Sequence, residues 1–451
     1  MKKLLCLIGI FLLSGIDSLG FGADSFNKVI SDSDIPKDNI SVSVKNAQTG
    51  SVLYELNAGK LVPPASTQKL VTLAAAADTL GPDYQFQTSI YKSTNNDLYI
   101  KLGADPYLSS NDLKTLLTAA KEKKVIAPKN IYIDASILDN VDWGEGWQWD
   151  DDLNILMPRF GAYNLDGNLL GVLVAPTLKG SPAGINTKVF YPVTFMNLVV
   201  TGGENNIKFE RNNAVAPDMI SVKGTVSKSQ GFAIPVNNLK RYFRLRLEDA
   251  LRDVNIEYYG NITEKKLPSN NVYLISSVKH PLLIAQKDIL IRSSNLAAET
   301  VFKTAGGKYV NGTGSVDAAL KMFDAYCKKI GINHENIKIV DGSGVSKNNL
   351  MSADFMTDFL VAQAKLPGFP IMKKFMATSG EGTLTDRMLY FKDNLRAKTG
   401  TLSDISAIAG YITSRNGTLY AFDIMINDAK SRPIDKKVLE EYIIRTIYLT
   451  D

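Results

Sequence analysis

The chain has 451 residues, enough for two or three domains, and 45% of them are hydrophobic, an ordinary share for a folded soluble protein and too high for general disorder. A formal charge of +5 over this length is mild and no run of like charges occurs, so the charge argues for anionic, wall-like surroundings rather than for nucleic-acid binding. Two histidines, His280 and His334, leave little with which to build a Ser-His-Asp triad or a multi-histidine metal site, so hydrolytic chemistry has to use another base and no metal or cofactor is expected.

The N-terminus carries Lys2 and Lys3, an apolar run from Leu4 to about Ile16, and small residues at Gly20, Gly22 and Ala23. This is the layout of a secretory signal peptide cleaved near residues 20 to 23, and the run falls short of the ~20 residues a membrane span needs. The mature protein is therefore expected outside the cytoplasm, in the periplasm, without a transmembrane anchor. Cys6 leaves with the signal and Cys327 remains alone, so no internal disulfide can form and stability has to come from burial.

Asn39-Ile-Ser-Val-Ser-Val alternates with period two, turns at Thr49-Gly50 and resumes as Ser51-Val-Leu-Tyr-Glu-Leu, the pattern of a β-hairpin. Pro63-Pro64-Ala65-Ser66-Thr67-Gln68-Lys69-Leu70 then opens a helix whose Ala-rich body, to Leu80, is apolar nearly all round and so is expected to be buried. From about Gly81 the chain reads as short strands and loops, with a Trp-rich loop from Asp142 to Asp151, and a further β-like stretch runs between roughly Asn164 and Arg252. Helical periodicity returns over 281–290, 295–305, 316–330 and 352–366. At the C-terminal end, Asn394 to Gly400, Ser406 to Thr413 and Thr418 to Ile426 read as three antiparallel strands, the last two joined by an Asn416-Gly417 turn. With the N-terminal hairpin they would make one sheet, closed by a helix near 435–448. The two ends of the chain then build one domain and the middle is inserted.

Three short motifs occur in order: Ser66-Thr67-Gln68-Lys69, Ser293-Ser294-Asn295 and Lys398-Thr399-Gly400. On a helix, Ser66 and Lys69 share a face and can exchange a proton. Each motif alone is weak. Ser276 and Lys279 repeat the first spacing on a strand-like stretch, and Ser93 to Asn95 and Ser109 to Asn111 repeat the second, where a helix cap is the plainer explanation. The conjunction carries the weight, because one motif opens a buried helix, one lies in a turn between helices and one runs along a strand. Together they mark the penicillin-recognising serine acyltransferases.

The long interval between the first two motifs, about twice that between the second and third, narrows the match. The sequence resembles the class C low-molecular-mass penicillin-binding proteins of the penicillin-binding protein 4 type, D-alanyl-D-alanine carboxypeptidases that also act as endopeptidases. Gly103-Ala-Asp-Pro-Tyr-Leu, Gly146-Trp-Gln-Trp-Asp-Asp, Asp341-Gly-Ser-Gly-Val-Ser-Lys-Asn-Asn and Gly380-Glu-Gly-Thr-Leu extend the resemblance over most of the mature chain. It implies an α+β fold, a transpeptidase-like domain with an antiparallel sheet flanked by helices, interrupted by two inserted β-rich domains. The expected division is a signal over 1–23, the catalytic domain over 24–80 and 275–451, a first insert over 81–165 and 250–274, and a nested second insert over 166–249.

The resemblance also implies roles. Ser66 is the nucleophile and Lys69 its base, Ser293 linked to Lys398 passes a proton to the leaving amine, and Asn295 holds the substrate amide. Lys398 and Thr399, next to Gly400 and Thr401, meet the substrate's terminal carboxylate, and the backbone N–H groups of Ser66 and Thr401 form the oxyanion hole. Asp151 would hold the amino group of a diaminopimelate-like side chain, with Lys347 on its carboxylate in place of the family's arginine, a point charge instead of a two-pronged fork. Ser294 replaces a more familiar Asp. For Lys69 to act as a base near neutrality its pKa has to fall from ~10.4, an effect expected from burial and from Lys398 as a second cation. The expected partners are peptidoglycan peptides, with β-lactams as covalent inhibitors. The alternatives are a serine β-lactamase and a non-catalytic wall-binding module.

Overall fold

A computed structural model describes residues 23–125, 127–148, 151–211 and 216–450. The expected export signal, up to residue 22, lies outside the described residues, as do Trp149 and Asp150 of the Trp-rich loop. Among the described residues no helix is long and apolar enough to cross a membrane.

The chain opens with α1 (Ala23–Ser31), β1 (Ile40–Asn46), β2 (Val52–Leu56) and α2 (Lys69–Leu80). It then leaves this unit for β3 (Gln85–Ser93), β4 (Leu98–Lys101), α3 (Ser110–Glu122) and β5 (Ile131–Asp134). Six strands follow: β6 (Leu169–Ala175), β7 (Gly184–Thr187), β8 (Thr194–Thr201), β9 (Asn206–Arg211), β10 (Met219–Val226) and β11 (Gln230–Pro235). Helix α4 (Leu239–Asp253) and strands β12 (Ile262–Glu264) and β13 (Val272–Pro281) lead back. The remainder is α5 (Leu282–Lys287), α6 (Asn295–Tyr309), α7 (Val316–Ile330), α8 (Ala353–Ala364), α9 (Phe369–Phe375), β14 (Leu395–Thr401), β15 (Ile405–Thr413), β16 (Leu419–Asn427) and α10 (Pro433–Leu449).

The two chain ends meet in one antiparallel sheet of order β14-β15-β16-β1-β2, in which Val44 of β1 stands opposite Phe422 of β16. One face, with Val42, Val44, Ile424 and Ile426, packs on Phe26 and Ile30 of α1 and Leu439, Ile443 and Ile447 of α10. The other face, with Ala409, Tyr411 and Ala421, packs on Phe355 and Phe359 of α8 and the apolar body of α2. Burial on both faces explains why β15 and β16 read as nearly continuous apolar runs, and why Ser43 of β1, bonded at 2.7 Å to Thr357 of α8, is as buried as its apolar neighbours. Asp423 interrupts this run. Burial pushes its carboxyl well above the usual carboxylate range.

The inserted region builds a mixed five-stranded sheet of order β12-β5-β4-β3-β13 and two three-stranded sheets, β8-β10-β9 and β11-β6-β7. These share one core with two helices that the sequence reading does not anticipate, α3 and α4. Both carry local start signals: Ser109 and Asp112 form a reciprocal capping box on α3, and Asn238 caps α4. Helix α4 and strand β13 each run across a position where the sequence suggests a domain border, 249/250 and 274/275. Strand β13 runs straight into α5, so the insert's sheet is continuous in chain with the segment that presents Ser293.

Candidate active site

Ser66 lies in a 3₁₀ turn, Ala65–Gln68, that feeds directly into α2, with Lys69 as the first residue of the helix proper. The spacing brings Lys69 Nζ to 2.8 Å from Ser66 Oγ. Ala65 takes a left-handed φ of +50°, and the chain crowds it from two sides. A Cβ on Gly344 would stand 2.0 Å from the Ala65 carbonyl oxygen, and one on Gly400 would stand 2.9 Å from Ala65 Cβ and 3.0 Å from Ser66 N, so the turn fits only between glycines.

The second motif follows a π turn, Asp288–Arg292. Ser293 adopts φ +64°, outside the helical region, and its N–H donates to the Asp288 carbonyl. Ser294 is the N-cap of α6, its Oγ accepting from Ala297 N at 3.2 Å. Asp and Ser cap helices about equally well, which gives the Ser-for-Asp exchange a structural reason. Asn295 opens α6. In the third motif Lys398, fully buried on β14, donates to Ser293 Oγ and to the Thr399 carbonyl, both at 2.8 Å.

Lys69 is the hub. Besides Ser66, its Nζ meets Asn295 Oδ1 and the Ser343 carbonyl oxygen, each at 2.7 Å. The Asn295 amide is oriented by its other end, since Nδ2 donates to the Leu156 carbonyl of the insert at 2.7 Å. Two of the three partners of Nζ are thus pure acceptors. A neutral amine has two N–H groups to give them, and its lone pair is then left for the Ser66 hydroxyl proton.

Burial lowers the Lys69 pKa from 10.5 to about 7, against the opposing pull of Asp341 and Glu299. That corresponds to roughly 5 kcal/mol of bias against the ammonium. The expected contribution of Lys398 is corrected here: the like-charge effect falls on Lys398 itself, which burial first and Lys69 second push well below the usual lysine value. The pair resists double protonation, and Lys398 is the member that yields.

The remaining predicted residues are less uniform. Thr399 is buried and bonds Thr383 at 2.7 Å, a contact the sequence does not signal, and Gly400 passes against Ser66, while Thr401 is exposed at the end of β14. Lys347 does not stand free for a substrate carboxylate. Its Nζ pairs with Asp404 at 2.7 Å and reaches Ser403 Oγ at 3.1 Å, both in the turn between β14 and β15. Asp151 is half-buried in the Trp-rich loop, its N–H donating to the Gln148 carbonyl at 3.3 Å. That loop is tied to the site by Trp147 Nε1, which donates to Asp341 Oδ2 at 2.9 Å.

Asp341 and Glu299 are the residues sequence reasoning undervalues or misses. Asp341 Oδ1 accepts from Gly344 N at 2.7 Å and Asn349 Nδ2 at 2.9 Å, and Oδ2 also accepts from Ser346 N at 2.7 Å. The carboxylate therefore shapes the 341–349 loop instead of facing the cleft. Glu299 carries one legible signal, its place four residues after Asn295 on the same face of α6.

The sequence model of the D-Ala-D-Ala carboxypeptidase 3 (S13) family matches residues 23–443 of this chain. D-alanyl-D-alanine carboxypeptidase DacB of Haemophilus influenzae is 26% identical, over 97% of this chain and 96% of its own. A D-alanyl-D-alanine carboxypeptidase of Actinomadura sp. (strain R39) is 27% identical, over 90% of this chain and 80% of its own. In three dimensions the chain is similar to penicillin binding protein 4 from Haemophilus influenzae, with a TM-score of 0.82 at 24% identity, over 94% of this chain and 99% of that one.

Proposed function

This chain belongs to the D-Ala-D-Ala carboxypeptidase 3 (S13) family, and from that premise we propose that it is a serine DD-peptidase working through an acyl-enzyme on Ser66. The observation that carries the reading is the hydrogen-bond set of Lys69, which spends two N–H groups on carbonyl oxygens and leaves its lone pair for Ser66 Oγ.

Lys69 takes the hydroxyl proton as Ser66 attacks the carbonyl of the penultimate D-alanine. The oxygen that becomes negative is received by the N–H groups of Ser66 and Thr401, each such donor being worth about 3 kcal/mol of barrier. The leaving amine collects a proton through Ser293 from Lys398 and departs. Lys69 releases the proton it took to solvent, then as a free amine accepts one from the water that attacks the ester and returns it to Ser66 Oγ as the acyl group leaves. Lys398 is so strongly discouraged from carrying a charge that the arrival of the substrate's terminal carboxylate, beside Thr399, is what makes its protonation favourable. Substrate binding thereby loads the proton that the leaving group needs. When the leaving amine belongs to a neighbouring stem peptide, the same steps cut a cross-link, which is the endopeptidase reaction. Benzylpenicillin would enter as an analogue of the D-alanyl-D-alanine end, and the protein would act after export.

The test is intact-mass analysis after incubation with benzylpenicillin. One stable adduct on the wild-type protein and none on Ser66→Ala is the expected result. No adduct would overturn the enzyme reading, and fast turnover of nitrocefin would make it a β-lactamase.

A further inference from the structure

Glu299 is fully buried on α6, one turn beyond Asn295, and no step above uses it. Its Oε1 accepts from Gly342 N at 3.0 Å and Ser343 N at 2.8 Å, and its Oε2 lies 2.9 Å from Gly342 N. The same two residues turn their carbonyls to α2: Gly342 O accepts from Thr72 Oγ1 and Ser343 O accepts from Lys69 Nζ, both at 2.7 Å. Glu299 thus anchors both N–H groups of the Gly342-Ser343 step: the 342–343 peptide unit runs from Glu299 to Thr72, and the Ser343 carbonyl that grips the base follows on the next unit, whose Gly344 N–H is held by Asp341 Oδ1. Resting on the reading of Ser66 and Lys69 as nucleophile and base, we infer that Glu299 is a positioning residue for Lys69. It fixes the 342–343 turn that holds the amine, and its charge governs how readily Lys69 gives up a proton.

A structural role alone would be satisfied by any acceptor, but the charges around Glu299 make its ionisation matter. From the loop it faces Asp341, and from α2 it faces Lys69, which is itself coupled to Lys398 of β14. On its own helix Lys303 is turned away to Asp139 and the Val141 carbonyl. Burial first, and Asp341 second, raise the Glu299 pKa to about 7, where Lys69 also titrates. Two groups of opposite sign that titrate together in a dry site share protons, so the ionised acid favours the ammonium and the neutral acid favours the free amine. The Gly342 N–H is shared between Oε1 and Oε2, so a proton on Oε2 still leaves both amides bonded to Oε1 and the turn intact.

The experiment is the pH profile of acylation by a chromogenic β-lactam between pH 5 and 9, for the wild type, Glu299→Gln and Glu299→Asp. Removing the negative charge weakens the ammonium, so the acid-side midpoint of Glu299→Gln is expected to fall by about one pH unit. Glu299→Asp keeps the charge but withdraws the carboxylate from the turn, so its rate is expected to drop by a similar factor at every pH with the midpoint unmoved. A folded Glu299→Gln with an unshifted midpoint overturns the inference, leaving Glu299 a structural acceptor. If circular dichroism shows that Glu299→Gln does not fold, Glu299→Asp decides, and a midpoint displaced there by a unit overturns it equally. A wild-type protein that is not acylated at all fails the proposed function itself, a result distinct from either.

Discussion

Replacing Gly400 by alanine tests the close approach of β14 to the nucleophile. The added methyl would lie 2.9 Å from Ala65 Cβ, 3.0 Å from Ser66 N and 3.1 Å from the Pro64 carbonyl oxygen. Carbon atoms rest at roughly 3.5–4.0 Å, so strand and turn have to part by about 0.5–1 Å. Gly400 has no left-handed φ, so the substitution adds no backbone strain of its own and its effect is steric. The methyl presses on the Ser66 N–H, one of the two expected oxyanion donors. Loss of one such donor costs about 3 kcal/mol of barrier, and a misplacement of about 1 Å alone costs ~100-fold. Acylation by a fluorescent penicillin, read as a second-order rate from labelled gels, is therefore expected to fall by roughly 100- to 1,000-fold. Overpacking should cost only about 1–3 kcal/mol of stability, so circular dichroism should show a folded protein. A folded Gly400→Ala that acylates within about threefold of the wild type would refute the placement of the oxyanion hole.

The wild-type acylation rate is expected to fall about tenfold per pH unit below about 7, since the reactive form is the Lys69 amine and acid converts it to the ammonium; a flat profile down to pH 5 would remove Lys69 as the base. Asp404→Ala should release Lys347 from its ion pair, and because both partners are partly exposed the melting temperature should hardly move. The same variant should lower KM several-fold for stem peptides with a side-chain carboxylate and leave those with a plain lysine unchanged. Ser293→Ala breaks the 2.8 Å link to Lys398 and should slow acylation by roughly 100- to 10,000-fold, with the wild-type melting temperature retained because, among the described residues, Ser293 Oγ holds no bond besides that one. Phe302→Ala, in the buried body of α6, should destabilise the protein by about 3–5 kcal/mol in urea unfolding and thereby lower its yield of active enzyme.

What the sequence makes legible follows from the range of each signal. The C-terminal hairpin is announced by Asn416-Gly417, and the helices over 295–309 and 316–330 by their periodicity, because those signals lie within one element. Helices α3 and α4 have equally local signals, yet each sits among strands, and Ser109, first seen as a repeat of the Ser-x-Asn spacing, is in fact the cap of α3. In α4 the buried positions 239, 242, 243, 246, 247, 250 and 251 have helical spacing, but its other three arginines and its polar flanks dilute the pattern, as does the buried Arg246 itself. The three motifs foretell the Ser66–Lys69 and Ser293–Lys398 contacts. The partners of Lys347 and Glu299 are not foretold, since Asp404 and the 342–343 amides meet them only through tertiary packing, and the charge balance between two buried lysines depends on distances that no motif encodes.

The pairing of β1 with β16 joins residues nearly four hundred positions apart, from Ile40 against Ile426 to Asn46 against Tyr420. Closing so long a loop costs about 3 kcal/mol more than closing one of ten residues, and nothing repays it until the last strands exist. Ser66 is therefore made early, but Lys398 and the strand that shapes its turn arrive late. During synthesis the half-built chain carries a serine without its chemistry, so it is harmless to the peptides it passes and blind to penicillin until the sheet closes.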